Sequence, residues 1–254
     1  IIAVGGDGTC HEVINGMIVN DKTRSAKSVF ALIPMGTGSD LQKTIGAPKS
    51  LPEAINAAAT GETKICDIGK CAATLKDGSK KVGYFINVAG FGANGEVVRR
   101  TNESSKKWGG MVTFLSATLV TAIKYQPVPV KVEWSDQGES TTWEKTLLSC
   151  FIANGSYCGS GMWIGPNATM TDGRLDYTLV PHLGVHKQLI AIPRLYKGTV
   201  GGFPGITVCH GQTLRATPEQ NKYVPVELDG EMFGQLPAKF SILPGLLKIR
   251  SRWP

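Results

Sequence analysis

The sequence predicts an α/β layer with parallel strands followed by a larger β-rich domain, and three observations lead there. Short apolar strands alternate with helical patterns over about the first 65 residues. Both early strands run into glycine-rich turns that open helices. From Lys64 onward the texture changes to strand-like runs broken by Gly, Asp and Asn. The 254 residues can bury a substantial core as one large domain or two modest ones. Hydrophobic residues at 42% and charged residues at 19% describe an ordinary globular chain, and 31 glycines favour many tight turns.

Taken in order, Ile1 to Val4 form the first strand and end in "GGDGT". Val13, Ile14, Met17 and Ile18 then recur at helical spacing, so the turn feeds a helix. Val29 to Ile33 form the next strand, which runs into "PMGTGSD" and the helix "LQKTIG". "SLPEAINAAATGE" predicts a crossover helix with Ser50 as N-cap, Pro52 in its first turn and Gly61 as its stop. The runs "KICDIGKCAATL", "KKVGYFINVAGFG", "VPVKVEW", "KTLLSCFIANG", "RLDYTLV" and "KYVPVELDGEMF" read as strands. "GGMVTFLSATLVTAIKY" and "GVHKQLIAIPRLYKG" interrupt them as helices, and "FSILPGLLKIRSRWP" reads as a terminal strand pair. The expected division is 1–66 for the first domain and 67–242 for the second, with 243–254 free to return to the first. A start without Met, inside a strand, reads as a fragment or a processed chain whose upstream neighbour is missing.

A glycine turn between a parallel strand and a helix is where backbone N–H groups converge on an anion, so "GGDGT" is a candidate phosphate site. Gly5, Gly6 and Gly8 allow close approach, and Thr9 can cap the helix or bond a phosphate oxygen. Asp7 has no reason to face phosphate unless a cation lies between, which implies a divalent metal such as Mg²⁺ with retained waters. The plainer alternative is a turn with an Asp cap. The second turn places Thr37 and Asp40 toward the same crevice. Neither turn is followed by Gly-Lys-Ser/Thr and neither is G-x-G-x-x-G. In "VPVELDGEMFG", alternation of Val224, Val226 and Leu228 predicts a strand, and Asp229-Gly230 turns so that Glu231 projects from its end.

The balance of 27 Lys+Arg against 20 Asp+Glu gives +7, which suits an anionic partner or plain surface charge. The six cysteines form no Cys-x-x-Cys pair, so free thiols in a reducing compartment are expected. The longest apolar stretch, about 13 residues, is short of the roughly 20 needed to cross a bilayer. His182 and His186 lack a third ligand and read as solvated helix residues. Arg99, Arg100, Lys106 and Lys107 read as a solvated basic cluster, with contact to anionic lipid as the alternative. No aromatic-basic interleaving supports nucleic-acid binding.

"GGDGTCHEVINGM" with "PMGTGSDLQKTIG" resembles the diacylglycerol kinase catalytic-domain superfamily of lipid kinases. "KICDIGK", "FINVAGFGANGEVV", "NGSYCGSGMWIGPNATMTDGRLDYTLV" and "VPVELDGEMF" follow in that family's order. The resemblance implies an α/β nucleotide domain like those of phosphofructokinase and NAD kinase, joined to a β-sandwich. It implies an ATP site at Gly5, Gly6, Asp7, Gly8, Thr9, Glu12, Gly36, Thr37 and Gly38. It implies Asp7, Asp40 and Asp67 organising the nucleotide's Mg²⁺ through water, and a structural Mg²⁺ on Asp172 with the carbonyls of Thr169 and Arg174. Glu231 matches the proposed general base toward the lipid hydroxyl, with Asp229 supporting it or the metal. Ser39 stands where many relatives have Asn. The implied activity is ATP-dependent phosphorylation of diacylglycerol or a sphingoid base by a cytoplasmic protein working peripherally at a membrane surface, with a homodimer left open. An NAD kinase-like enzyme and an inactive nucleotide-binding fragment are the alternatives; "LDGE" and "DGRLD" follow the lipid-kinase order.

Overall fold

The computed structural model describes residues 1–36, 38–103 and 110–254. Strand β1 (Ile2–Gly5) runs directly into helix α1 (Asp7–Met17). A short pair, β2 (Ile18–Val19) and β3 (Lys22–Thr23), returns the chain to β4 (Val29–Pro34), which lies parallel to β1. Helices α2 (Asp40–Ile45) and α3 (Leu51–Thr60) follow; Gly46 ends α2 in the left-handed conformation at φ 65°, where glycine carries no Cβ penalty. As expected, Ser50 and Gly61 flank α3, although the Ser50 hydroxyl makes no capping bond.

The second half begins with β5 (Glu62–Thr74), β6 (Lys80–Phe85) and β7 (Val88–Gly92). The run "KKVGYFINVAGFG" is thus two strands, separated by a turn at Ile86 and Asn87. Helices α4 (Ala93–Glu103) and α5 (Gly110–Lys124) come next; α4 falls in a stretch whose glycines hide its pattern. Then come β8 (Val128–Asp136), β9 (Glu139–Ala153), the small pair β10 (Tyr157–Cys158) and β11 (Met162–Trp163), and β12 (Leu175–Pro181). After helix α6 (Val185–Tyr196) the chain closes with β13 (Thr207–Gly211), β14 (Thr213–Pro218), β15 (Pro225–Leu228) and β16 (Glu231–Ser251).

Two expectations need correction. The tail is not a strand pair: Phe240 to Ser251 continue β16 as one long strand, kinked against β5 between Leu243 and Leu247. Nor is the first layer wholly parallel. β4 lies parallel to β1 and to the end of β16 at Lys248 to Arg250, but β5 joins the other edge of β16 antiparallel. The mixture arises because β16 enters the layer from the β-rich half after pairing there with β14 and β15.

β5 and β16 therefore pass through two cores. One end of each contributes Ile68, Leu247 and Ile249 to a cluster with Ile14, Phe30, Leu41 and Ile45. The other end contributes Cys71, Phe240 and Ile242 to a cluster with Phe91, Tyr177 and Leu228, where Phe91 and Phe240 stack with ring centroids 5.9 Å apart. A third cluster, with Leu148, Phe151, Val180 and Ala191, lies beneath α4 and α6. All six cysteines are free thiols, four of them buried.

Candidate functional site

The two glycine turns meet back to back. A Cβ at Gly36 would lie 2.4 Å from the Gly6 Cα and would force the turns apart, and one at Gly38 would lie 3.0 Å from Asp7 Oδ2 and would press on that carboxylate. The helices behind them end differently. No side chain caps α1, which leaves its first-turn N–H groups aimed out of the turn, as an anion site requires. The N-terminus of α2 is capped from outside: Asp7 accepts from the N–H of Asp40 at 3.2 Å and of Leu41 at 2.9 Å. Asp7 is therefore a cap, for the neighbouring helix rather than its own, and it clamps one glycine turn to the other. Thr9 and Glu12 are exposed on α1, whereas Thr37 lies outside the described residues.

The hairpin between β15 and β16 meets this junction. Asp229 and Gly230 form its two-residue turn with φ of 50° and 84°, the left-handed pair that tight hairpins need. The Asp229 side chain is 2% exposed. Its Oδ1 accepts from the N–H of Asn87 at 2.9 Å and of Val88 at 3.2 Å, and its Oδ2 from the N–H of Ile86 at 3.0 Å. His11 of α1 completes the set, its Nδ1 lying 3.0 Å from Oδ2. With its oxygens so engaged, Asp229 ties the hairpin to the turn at Ile86 to Val88 and to α1. Glu231, two residues on, is exposed and lies against the start of α1: a Cβ at Gly8 would be 3.3 Å from Glu231 Oε1. His11, which sequence reasoning passed over, has its pKa raised; burial opposes protonation, but the bond to Asp229 and the charges of Asp229, Glu231 and Glu12 outweigh it. Asn15 anchors the same helix, donating to the Tyr84 carbonyl at 2.9 Å and accepting the Tyr84 N–H at 3.0 Å.

Of the expected trio of metal-facing aspartates, Asp7 and Asp40 lie together and Asp67 lies beside Asp172. Asp40 stays near Asp7; it accepts the Ser160 N–H at 2.8 Å and pairs with Lys43 at 3.2 Å. Burial and then the Asp7 charge raise its pKa, against the Ser160 bond and Lys43. Asp67 sits instead with Asp172. Its oxygens accept the N–H groups of Gly173 and Gly245, each at 2.7 Å, tying the "TDGR" loop and the kink of β16 to β5. Its pKa is raised by burial first and by Asp172 last. Asp172 itself accepts the Arg174 N–H at 3.0 Å, while the Arg174 guanidinium pairs with Asp136 at 3.1 Å. Thr169, also expected to offer its carbonyl, is exposed beside this loop. No group of three or more His, Cys, Asp or Glu among the described residues could hold a metal unaided. A hydrated divalent ion shared with phosphate still fits Asp7 and Asp40: the Asp7 charge raises the cost of ionising Asp40, and among the described residues Lys43 is the cation that Asp40 pairs with. Of the other sequence candidates, His182 precedes α6 and only His186 lies on it, and Arg99 and Arg100 pair with Glu96 at 2.7 and 2.8 Å. Lys106 and Lys107 lie outside the described residues.

A cavity of about 290 Å³ opens from this junction. At one end are Asp7, Gly38, Asp40, Glu227, Asp229 and Gly230. The remainder is largely apolar, walled by α4 (Val97, Val98), α5 (Phe114, Ala122), α6 (Ala191, Ile192, Leu195) and the strands beneath them (Leu148, Phe151, Val180). Glu227, also not anticipated from sequence, stands where the two parts join. Its Oε2 accepts the Gly230 N–H at 3.0 Å, and burial, then Asp229 and Glu231, push its pKa up to about 8. The arrangement can hold a phosphate at a helix N-terminus, an apolar molecule in the cavity, and a carboxylate, Glu231, near their meeting point.

Comparison with known proteins fits this geometry. Residues 1–71 match the diacylglycerol kinase catalytic domain, and residues 87–251 match the YegS C-terminal NAD kinase beta sandwich-like domain. A protein of Pseudomonas putida named "Probable lipid kinase YegS-like" is 30% identical over 98% of this chain and 76% of its own length. One of the same name from Klebsiella pneumoniae is 26% identical over 98% of this chain and 77% of its own. A crystal structure from Bacillus anthracis, provisionally named a diacylglycerol kinase, superposes with a TM-score of 0.73 at 25% identity, covering 99% of this chain and 77% of that one. Yeast NADH kinase shares the fold alone, with a TM-score of 0.50 at 11% identity over 98% of this chain and 59% of its own.

Two outcomes follow from the carboxylates. Asp229→Ala leaves three buried N–H groups without an acceptor, at about 1–3 kcal/mol each, so the urea midpoint should fall by the equivalent of at least about 3 kcal/mol. Glu227 has a folded pKa above its ordinary 4.5, so its stabilisation is fully present below about 4.5 and is lost as pH rises through about 8. Glu227→Gln carries no such proton, so melting curves across that range should decline less steeply for the variant than for the wild type.

Proposed function

The chain belongs to the family of YegS-like lipid kinases within the diacylglycerol kinase superfamily, and on that premise we propose that it transfers the γ-phosphate of ATP to the hydroxyl of diacylglycerol or a sphingoid base. The single observation that carries the reading is the cavity's two-part lining, a carboxylate-rich end beside the glycine turns continuing into an apolar wall. A lipid acceptor has the same division, with a polar head to be phosphorylated and chains to be kept from water.

The proposed roles follow from what each group touches. The first-turn N–H groups of α1 and the paired turns at Gly6, Gly8, Gly36 and Gly38 receive the nucleotide's phosphates. Asp7 and Asp40 would hold Mg²⁺ through water, and the ion when bound supplies positive charge against the transferring phosphoryl group. Glu231, exposed at the hairpin end, takes the proton from the acceptor hydroxyl, an assistance smaller than the positioning of the reactants. Asp229 fixes the hairpin that carries it. Asp67 and Asp172, away from the glycine turns, serve the loop and strand they tie together, and a structural Mg²⁺ at Asp172 remains part of the proposal.

Of the two acceptors, the uncharged diacylglycerol fits better. Glu227 lines the cavity, and burial favours its neutral form, which can donate a hydrogen bond to an ester carbonyl, whereas an ammonium head would lack the full charge of an ionised partner there. No helix among the described residues is long and apolar enough to cross a bilayer. The proposal therefore includes peripheral association with a membrane on its cytoplasmic side, where free thiols such as these persist.

Labelled ATP offered with diacylglycerol, sphingosine or NAD tests the reading. Label in diacylglycerol above sphingosine and none in NAD is expected; label in NAD alone overturns it. Glu231→Gln should lower lipid phosphorylation by about 10²–10⁴-fold with ATP binding nearly unchanged, and retained turnover removes the base assignment.

A further inference from the structure

Helices α5 and α6 wall the cavity with their inner faces and leave their outer faces bare. On α5, Val112, Leu115, Leu119 and Ile123 fall at helical spacing and are 56, 40, 49 and 71% exposed. On α6, Val185, Leu189 and Ile190 are 42, 47 and 59% exposed. The two helices pack against each other. Single exposed apolar residues are ordinary, but seven on two adjoining helices form a patch that marks an interaction site. Neither helix contains Asp or Glu, while Lys124 and Lys187 stand exposed on them and Arg194 lies over the Phe203 ring.

Resting on the lipid-kinase reading, we propose that the outer faces of α5 and α6 dock on an anionic bilayer surface, placing the cavity mouth against the membrane that supplies the acceptor. The continuity of the faces argues for it: Phe114 and Ala122 of α5 and Ala191, Ile192 and Leu195 of α6 line the cavity, so a lipid leaving the bilayer beside these helices need not cross water. Charge selects the occupant. A second copy of the chain, set face to face, would oppose Lys124, Lys187 and Arg194 with the same cations, whereas anionic headgroups neutralise them. The helices themselves lie in the interface with apolar side chains inserted and basic ones at headgroup level.

The test is flotation of the full chain with vesicles of phosphatidylcholine alone and of phosphatidylcholine mixed with phosphatidylglycerol. The wild type should float with the mixed vesicles, more weakly with phosphatidylcholine alone. Ile123→Asp combined with Ile190→Asp, two exposed positions that do not line the cavity, should cut binding by about tenfold or more, since each inserted side chain contributes on that order. Lys124→Glu with Lys187→Glu should remove the preference for anionic vesicles. Activity of the Ile123/Ile190 variant on a short-chain diacylglycerol dissolved below its micelle concentration should equal that of the wild type. Equal flotation of wild type and variants overturns the proposal, and so does a dimer in light scattering that the Ile123/Ile190 variant dissociates. Flotation that depends on these residues in a protein that phosphorylates no lipid leaves the docking face standing and overturns the catalytic reading instead.

Discussion

The Asp229 carboxylate holds the site together. Three backbone N–H groups from the turn between β6 and β7, and the His11 imidazole from α1, converge on its two oxygens. One side chain thereby fixes the relative positions of a hairpin, a strand turn and helix α1, and Glu231 is placed by being two residues further along the same hairpin. Burial keeps water from competing for these bonds. The left-handed φ of Asp229 is tolerated on the same terms, since the surrounding bonds determine it.

Electrostatically the site is unfinished without cations. Asp7, Asp40, Glu227, Asp229 and Glu231 gather around the junction, with Lys43 and His11 beside them. Burial and that crowding raise the proton affinities of Asp40 and Glu227, whereas at His11 burial works the other way and is outweighed by the bond to Asp229 and the carboxylate charges. Under the proposed function, a magnesium nucleotide would bring positive charge to the Asp7 and Asp40 side and would offset the repulsion between its phosphates and those carboxylates. Burial favours the neutral form of Glu227 in the cavity lining, which spares the cavity a buried charge.

Much of this was legible in the sequence because it is local. Glycine turns after apolar strands, a Ser50 and Gly61 bracket around a helix, and an Asp-Gly hairpin all express short-range chemistry. The layout of two glycine turns and one hairpin carboxylate could be read for the same reason. What escaped was non-local. Asp7 caps a helix 33 residues away, a relation that no periodicity announces. Asp67 joins Asp172 rather than Asp40 because the loop and kink it ties lie more than 100 residues downstream. His11 looks like an ordinary helix residue until the hairpin arrives beside it, and Glu227 reads as one polar position in an alternating strand. The long course of β16 was hidden by Pro244 and Gly245, which read as a break but produce only a kink.

That long strand carries a consequence for how the protein is made. β4 receives its second parallel partner only when Lys248 to Arg250 have been synthesised, and β5 lacks most of its pairing until the same strand emerges. Until that stretch is made, β4 and β5 wait with open sheet edges, and such edges are an aggregation risk. The protein's maturation should then depend on chaperones that shield the β4 edge, more than on any slow step within the completed fold.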